Sequence, residues 1–143
     1  MSEPITHYLA QMVIQVDNEP YLLIKLPPAA ILVAAAIIAE ISDPFCALII
    51  DKHEVTLVVP YEAPEEFAAR LHGHEISAAR YRLITLDVVL PPDLVGFMAQ
   101  ISAALAAAGV PIFPYAAYSR DHILVAETHL TTALDTLQHL KGS

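Results

Sequence analysis

The sequence predicts an α+β fold in which one βαββαβ plan occurs twice, with antiparallel sheets that carry their helices on one face. Three observations predict it. Short β-rich runs come in pairs around polar turns, and helical stretches separate the pairs. The chain also repeats itself. LIKLPP (23–28) returns as DVVLPP (87–92), DKHEVTLVV (51–59) as SRDHILVAE (119–127), and EAPEEFAARL (62–71) is echoed by ETHLTTALDTL (127–137). Finally, 56% of the 143 residues are apolar and only 16% charged, a balance that fills a core and disfavours disorder.

The elements follow in order. MVIQV (12–16) and YLLIKL (21–26) read as strands on either side of Asp17-Asn18. Pro27-Pro28 closes the second strand and opens a helix near 29–40, whose end is marked by Ser42-Asp43-Pro44. FCALII (45–50) and EVTLVV (54–59) form a hairpin around Asp51-Lys52-His53. APEEFAARL (63–71) has an early proline and acids in its first turn, the mark of a helix start. ISAARYRLITLDVVL (76–90) reads as one long strand.

In the next helix Leu94, Met98, Ile101, Leu105 and Ala108 share a face; Asp93 is its natural N-cap, and Gly109 with Pro111 ends it. IFPYAAY (112–118) and HILVAE (122–127) make a second hairpin around Ser119-Arg120-Asp121. A last helix near 130–140 aligns Leu130, Leu134 and Leu137.

Counted as elements, residues 18–78 form a first unit and 79–141 a second. The second ends on a helix with no strand after it. The spare strand is the N-terminal one, 11–17, and placing it in the second sheet covers an otherwise open edge. The long 76–90 strand is then shared by both units.

The bulk chemistry excludes several functions. A net charge of −9 with seven Lys and Arg leaves no basic surface for nucleic acid. The apolar run AAILVAAAIIA (29–39) is far short of the about 20 residues a membrane span requires. MSEPITHYLAQ lacks a signal-peptide pattern, so a cytoplasmic location is expected. The lone Cys46 reads as a buried thiol. Seven histidines include the His72-Gly73-His74 pair, yet none shows zinc spacing. Ser42, Ser77, Ser102 and Ser119 lie in no nucleophile elbow, and there is no phosphate or dinucleotide glycine loop. No metal and no cofactor are expected.

Two stretches carry candidate site residues. Asp93-Leu94-Val95-Gly96 is either plain helix capping or a helix mouth whose orphan N–H groups suit a carboxylate, with Gly96 giving a ligand access to the backbone. Asp121 is either a turn residue or a carboxylate that pairs with a ligand cation, and Arg120 beside it reads as solvated.

The βαββαβ order, the LPPDLVG turn and YAAYSRDHILVAE resemble the ACT domain, a ferredoxin-like amino-acid-sensing module. Over residues 20 to 140 the chain is similar to small bacterial tandem-ACT proteins related to the CASTOR-type arginine sensors. The likeness rests on EVTLVVP (54–60) and on a partial match of residues 117–125 to S/T-x-x-x-D-x-x-L-V, with Ala117 where the hydroxyl residue stands. The first unit's turn, LPPAAIL, has neither the Asp nor the Gly of the second.

The resemblance implies a ligand between units, touching Asp93, Leu94, Val95, Gly96, Ile112, Phe113, Tyr118, Ser119 and Asp121. It implies a carboxylate held near the backbone of Val95 and Gly96, a cation at Asp121, and Tyr118 as a wall. The function expected is a regulatory sensor for an amino acid-like small molecule, without catalysis. Two alternatives stand beside it: a ligand-free interaction module, suggested by the apolar 29–39 helix, and a small enzyme with His122 and Asp121 as an acid/base pair. That all-apolar helix and the alanines of the 94–108 helix also lead us to expect a homodimer.

Overall fold

The computed structural model describes residues 4–41 and 45–142. The elements in chain order are α1 (Ile5–Gln11), β1 (Val13–Val16), β2 (Tyr21–Leu26), α2 (Ile31–Glu40), β3 (Ala47–Ile50), β4 (Val55–Pro60), α3 (Ala63–Glu66), β5 (Glu75–Ile76), β6 (Tyr81–Asp87), α4 (Phe97–Ala107), β7 (Phe113–Ala116), β8 (Asp121–Ala126) and α5 (Leu130–Gly142). The fold is α+β, and the strand pairs are antiparallel. The Ser42-Asp43-Pro44 helix stop lies outside the described residues. Among the described residues, no helix is long and apolar enough to cross a membrane.

The chain divides into two compact units, one of Glu19–Arg80 and one of Met1–Asn18 with Tyr81–Ser143. In the Glu19–Arg80 unit, β4 pairs with both β3 and β2, and β2 pairs with β5, so the order is β3-β4-β2-β5. Alternate side chains of the two central strands, Ile24 and Leu26 with Val55, Leu57 and Val59, share one face and pack against Ala34 and Ile37 of α2. Phe67 and Leu71, which flank a 3₁₀ turn after α3, extend that core. Val33 and Ile38 of α2 are partly buried against the same core, while Leu32 on its outer side is 84% accessible.

The other unit has the corresponding order β7-β8-β6-β1, with the N-terminal β1 in the place that β5 takes above. Ile84 and Leu86 of β6 and Ile123 and Val125 of β8 meet Phe97, Ile101 and Leu105 of α4 and Ala133 and Leu137 of α5. The core stripe of α4 is Phe97, Ile101 and Leu105; Leu94, ahead of the helix, and Met98 are partly buried, and Ala108, expected on that face, is exposed.

Besides the 63–71 stretch, which forms the four-residue α3 and a 3₁₀ turn at Ala68–Arg70 in place of one helix, two elements differ from the sequence reading. The 76–90 run is two strands: β5 ends at Ile76 and β6 begins at Tyr81. Ser77 explains the break. Its hydroxyl accepts from the Leu23 N–H at 3.1 Å and donates to the Ala79 carbonyl at 3.0 Å. A serine that bonds local backbone offers the chain a turn in place of a ladder. The second difference is α1, to which the sequence reading assigned no element. Ile5, Leu9 and Met12 recur at helical spacing, and Leu9 and Met12 are buried in the core under α4 and α5. That spacing is the signal that marks α1. Lys141 on α5 donates to the Met12 carbonyl at 2.6 Å, which satisfies the end of α1. Cys46, expected buried, is only partly so.

Candidate functional site

The stretch after β6 folds in two steps. Pro91 to Leu94 is a tight turn closed by Leu94 N–H to the Pro91 carbonyl at 3.1 Å, with Pro92 supplying the fixed φ its second position favours. Val95 and Gly96 follow, and α4 starts at Phe97 with Gly96 as N-cap. Asp93 is therefore a turn residue, and no side chain caps the helix. The matching stretch before α2 is shorter: Pro27 to Ala30 make the same turn, and the helix follows at once. The second copy differs by the inserted Val95-Gly96 step.

Gly96 is required there by backbone geometry. Its φ is +97°, a region that side-chain-bearing residues avoid. A Cβ built on it would lie 2.9 Å from Cδ1 of Ile5 on α1. Glycine thus serves both the turn and the packing of α1 against it.

Sheet order brings this turn to the β7–β8 turn. Because β6 and β8 pair antiparallel with Leu86 opposite Asp121, the end of β6 meets the start of β8. The Leu90 N–H donates to the Ser119 carbonyl at 2.7 Å, and Ala117 N–H to the Arg120 carbonyl at 3.0 Å closes the β7–β8 turn. Between them lies a cleft of about 320 Å³. Its apolar wall includes Leu90, Leu94, Phe97 and Met98, and its far side is Ala117 to Asp121. The N–H groups of Phe97, Met98 and Ala99 open this helix and have no intrahelical acceptor, since the ladder begins with Gln100 to Gly96.

Five of the nine sequence-derived residues line the cleft together: Leu94, Gly96, Tyr118, Ser119 and Asp121. The other four stand apart. Asp93 and Val95 face solvent, Val95 with 83% exposure. Ile112 packs on the core, and Phe113 makes an edge-on contact with Tyr81, ring centroids 5.4 Å apart. Met98, Ala99 and Arg120 also line the cleft and were not among the nine. Met98 carried a signal, being one turn into the predicted helix.

The charged residues among those that line the cleft are Arg120 and Asp121. Burial pushes the Asp121 carboxyl above the usual carboxylate range, and neighbouring His122 pulls it back. Arg120 is not simply solvated, as expected from sequence. Its Nε lies 3.1 Å from Asp87 Oδ1, though off the line of a directed hydrogen bond. His122 does not join Asp121. Successive strand residues face opposite ways, and His122 Nδ1 instead meets Thr85 Oγ1 at 2.9 Å. Burial, then the Arg120 charge, lower its pKa, against the pull of Asp121, Asp17 and Asp87. The acid/base pair of the enzyme reading is thus not assembled in the cleft. Among the described residues, no group of three or more His, Cys, Asp or Glu converges as a metal site would.

Residues 76–139 of the chain match the family model of the ACT domain. Among curated proteins none matches. A protein of unknown function from Vibrio cholerae, described as a possible transport protein, is similar in structure, with a TM-score of 0.75 and 25% identity over 96% of this chain and 95% of that one. A structural-genomics target from Agobacterium tumefaciens superposes with a TM-score of 0.71 at 17% identity, over 91% and 89% of the two chains. The regulatory subunit of aspartate kinase from Thermus flavus does so with a TM-score of 0.64 at 16% identity, over 89% and 95%. At such identities the last two show a shared fold.

Proposed function

We propose that this protein is a regulatory sensor that binds an amino acid-like small molecule and performs no chemistry on it. The observation that carries the reading is the cleft between the α4 mouth and the β7–β8 turn, inside the segment that matches an ACT domain. A zwitterion fits its two ends. The free N–H groups at the start of α4 and the positive end of its dipole suit a carboxylate. Asp121 across the cleft suits an ammonium. A role in regulation is supported by the ACT match and by the likeness to the aspartate kinase subunit.

We also read the chain as a tandem of two ACT-like units, 18–78 and 79–141, the second completed by the strand at 11–17. Support comes from the shared strand order β3-β4-β2-β5 and β7-β8-β6-β1. The relation to the CASTOR-type sensors and a cytoplasmic location belong to the same reading. Titration calorimetry of the full chain with each of the twenty amino acids tests the function. A saturable heat with at least one of them is the expected result. Silence from all twenty, with the chain folded, refutes the sensor and leaves the interaction module.

A homodimer is part of this reading. Ile31 and Leu32 of α2 and Ile49 and Ile50 of β3 are large apolar side chains left in solvent within one unit. Apolar surface of that kind on a folded domain marks a contact. Sedimentation at high micromolar concentration should give a dimer; a 15.5 kDa monomer there sinks the assignment.

A further inference from the structure

We propose that Asp87 sets the charge selectivity of the cleft, by holding Arg120 so that Asp121 is left as its uncompensated charge, and that the ligand is therefore an α-amino acid with an uncharged, apolar side chain. The inference rests on the sensor reading and names the class of molecule sensed.

Of the residues that line the cleft, only Arg120 and Asp121 carry charge. They are neighbours in one turn, and on their own would compensate each other. Asp87 prevents this. It is the last residue of β6, it is not among the lining residues, and its Oδ1 lies 3.1 Å from Arg120 Nε. The contact is about a third exposed on both sides. Its worth to stability is accordingly small. Its effect on the cleft is larger, because a guanidinium beside one carboxylate presents little net positive charge to a second anion.

Asp121 lacks such a partner in the cleft. It lies opposite Leu86 in the β6–β8 register, on the face that carries the core, while its neighbour His122 is turned to Thr85. Burial makes its charge costly, and a ligand ammonium would relieve that cost. One cation is thus attracted. A second, as in a basic amino acid, finds no further carboxylate among the lining residues. An acidic side chain meets Asp121 itself and an Arg120 already engaged.

The rest of the lining decides what the side chain should be. The hydroxyls of Tyr118 and Ser119 belong to the β7–β8 turn on the far side, while Leu90, Pro91, Leu94, Phe97 and Met98 form an apolar wall with no side-chain oxygen or nitrogen. A polar side chain laid against that wall, away from the turn, would lose water and gain no partner there. A branched or thioether side chain would gain by burial. Asp87 acts through Arg120 and is a positioning residue.

The test compares L-leucine, L-glutamate and L-lysine as calorimetric probes on the full-length parent and on Asp87→Asn and Asp87→Glu. The parent should bind leucine at least about tenfold more tightly than the other two, the scale of one unfavourable charge contact. Asp87→Asn should free Arg120 and narrow the leucine-to-glutamate ratio about tenfold, and Asp87→Glu should restore it. A merely structural role for Asp87 would weaken all three probes alike and leave the ratio where it was. Tighter binding of glutamate or lysine to the parent, or an unchanged ratio in Asp87→Asn, overturns the inference while the sensor stands. If none of the twenty amino acids binds the parent, the sensor and the inference fall together.

Discussion

A chain that begins at residue 19 should lose the cooperative melting of the unit that holds the cleft. The deletion removes Leu9 and Met12, which are 6% and 0% exposed, and with them the packing of Ile5, Ile14 and Val16 on the same core. Burying a side chain of this size contributes about 1.5–3 kcal/mol, so the two buried residues alone account for roughly 3–6 kcal/mol. That compares with a total of about 5–15 kcal/mol for a domain. The deletion also strips β1 from β6, breaking the pairing of Val13–Val16 with Asp87–Ile84 and exposing a strand edge next to apolar surface. Thermal unfolding followed by circular dichroism should show a broadened or lost transition, with aggregation. Met12→Ala keeps β1 and should cost about 2–5 kcal/mol through the cavity it leaves. If the truncated chain melts at the midpoint and with the sharpness of the parent, β1 and α1 are not part of that core.

Asp121→Asn should weaken amino-acid binding by about 1–3 kcal/mol, roughly five- to 150-fold, with little change in melting temperature. The loss stays below that of a fully buried ion pair because Asp121 is only partly covered. Asparagine keeps the size of the side chain and removes the charge that faces the ammonium. The parent should also show a pH dependence. Since burial raises the Asp121 pKa, its carboxylate is protonated at a higher pH than an ordinary one. Affinity should fall as pH drops through that raised value, and Asp121→Asn should abolish the drop while binding weakly throughout. Calorimetric titrations of both proteins across the acidic range measure this. A variant that binds as tightly as the parent, with the same pH profile, moves the site elsewhere and returns the 91–96 stretch to a plain turn and helix start.

The sequence alone determined the periodic elements. YLLIKL, EVTLVV and HILVAE are runs of β-branched and aliphatic residues between turn formers, and they fold as β2, β4 and β8 within a residue or so of their expected ends. The helix near 130–140 likewise carries its own leucine spacing and forms α5. Local chemistry suffices there because each pattern matches only one period. The α1 spacing was present but short, seven residues with no capping side chain, and such a helix forms only against a core.

Where local preference had rivals, the tertiary structure decided. Asp93 is a favoured cap residue, yet the Pro91–Leu94 turn claims it, and the positive φ at Gly96 sets the helix start three residues later. The break at Ser77 depends on its bond to Leu23, 54 residues away, which no local pattern reveals. The cleft itself exists because β6 and β8 are neighbours, an outcome of strand order. Leu94, Gly96, Tyr118, Ser119 and Asp121 were readable one by one. That they share a cleft, that Met98 and Arg120 join them, and that Asp87 holds Arg120 from outside it are decided by through-space contacts between residues distant in the chain.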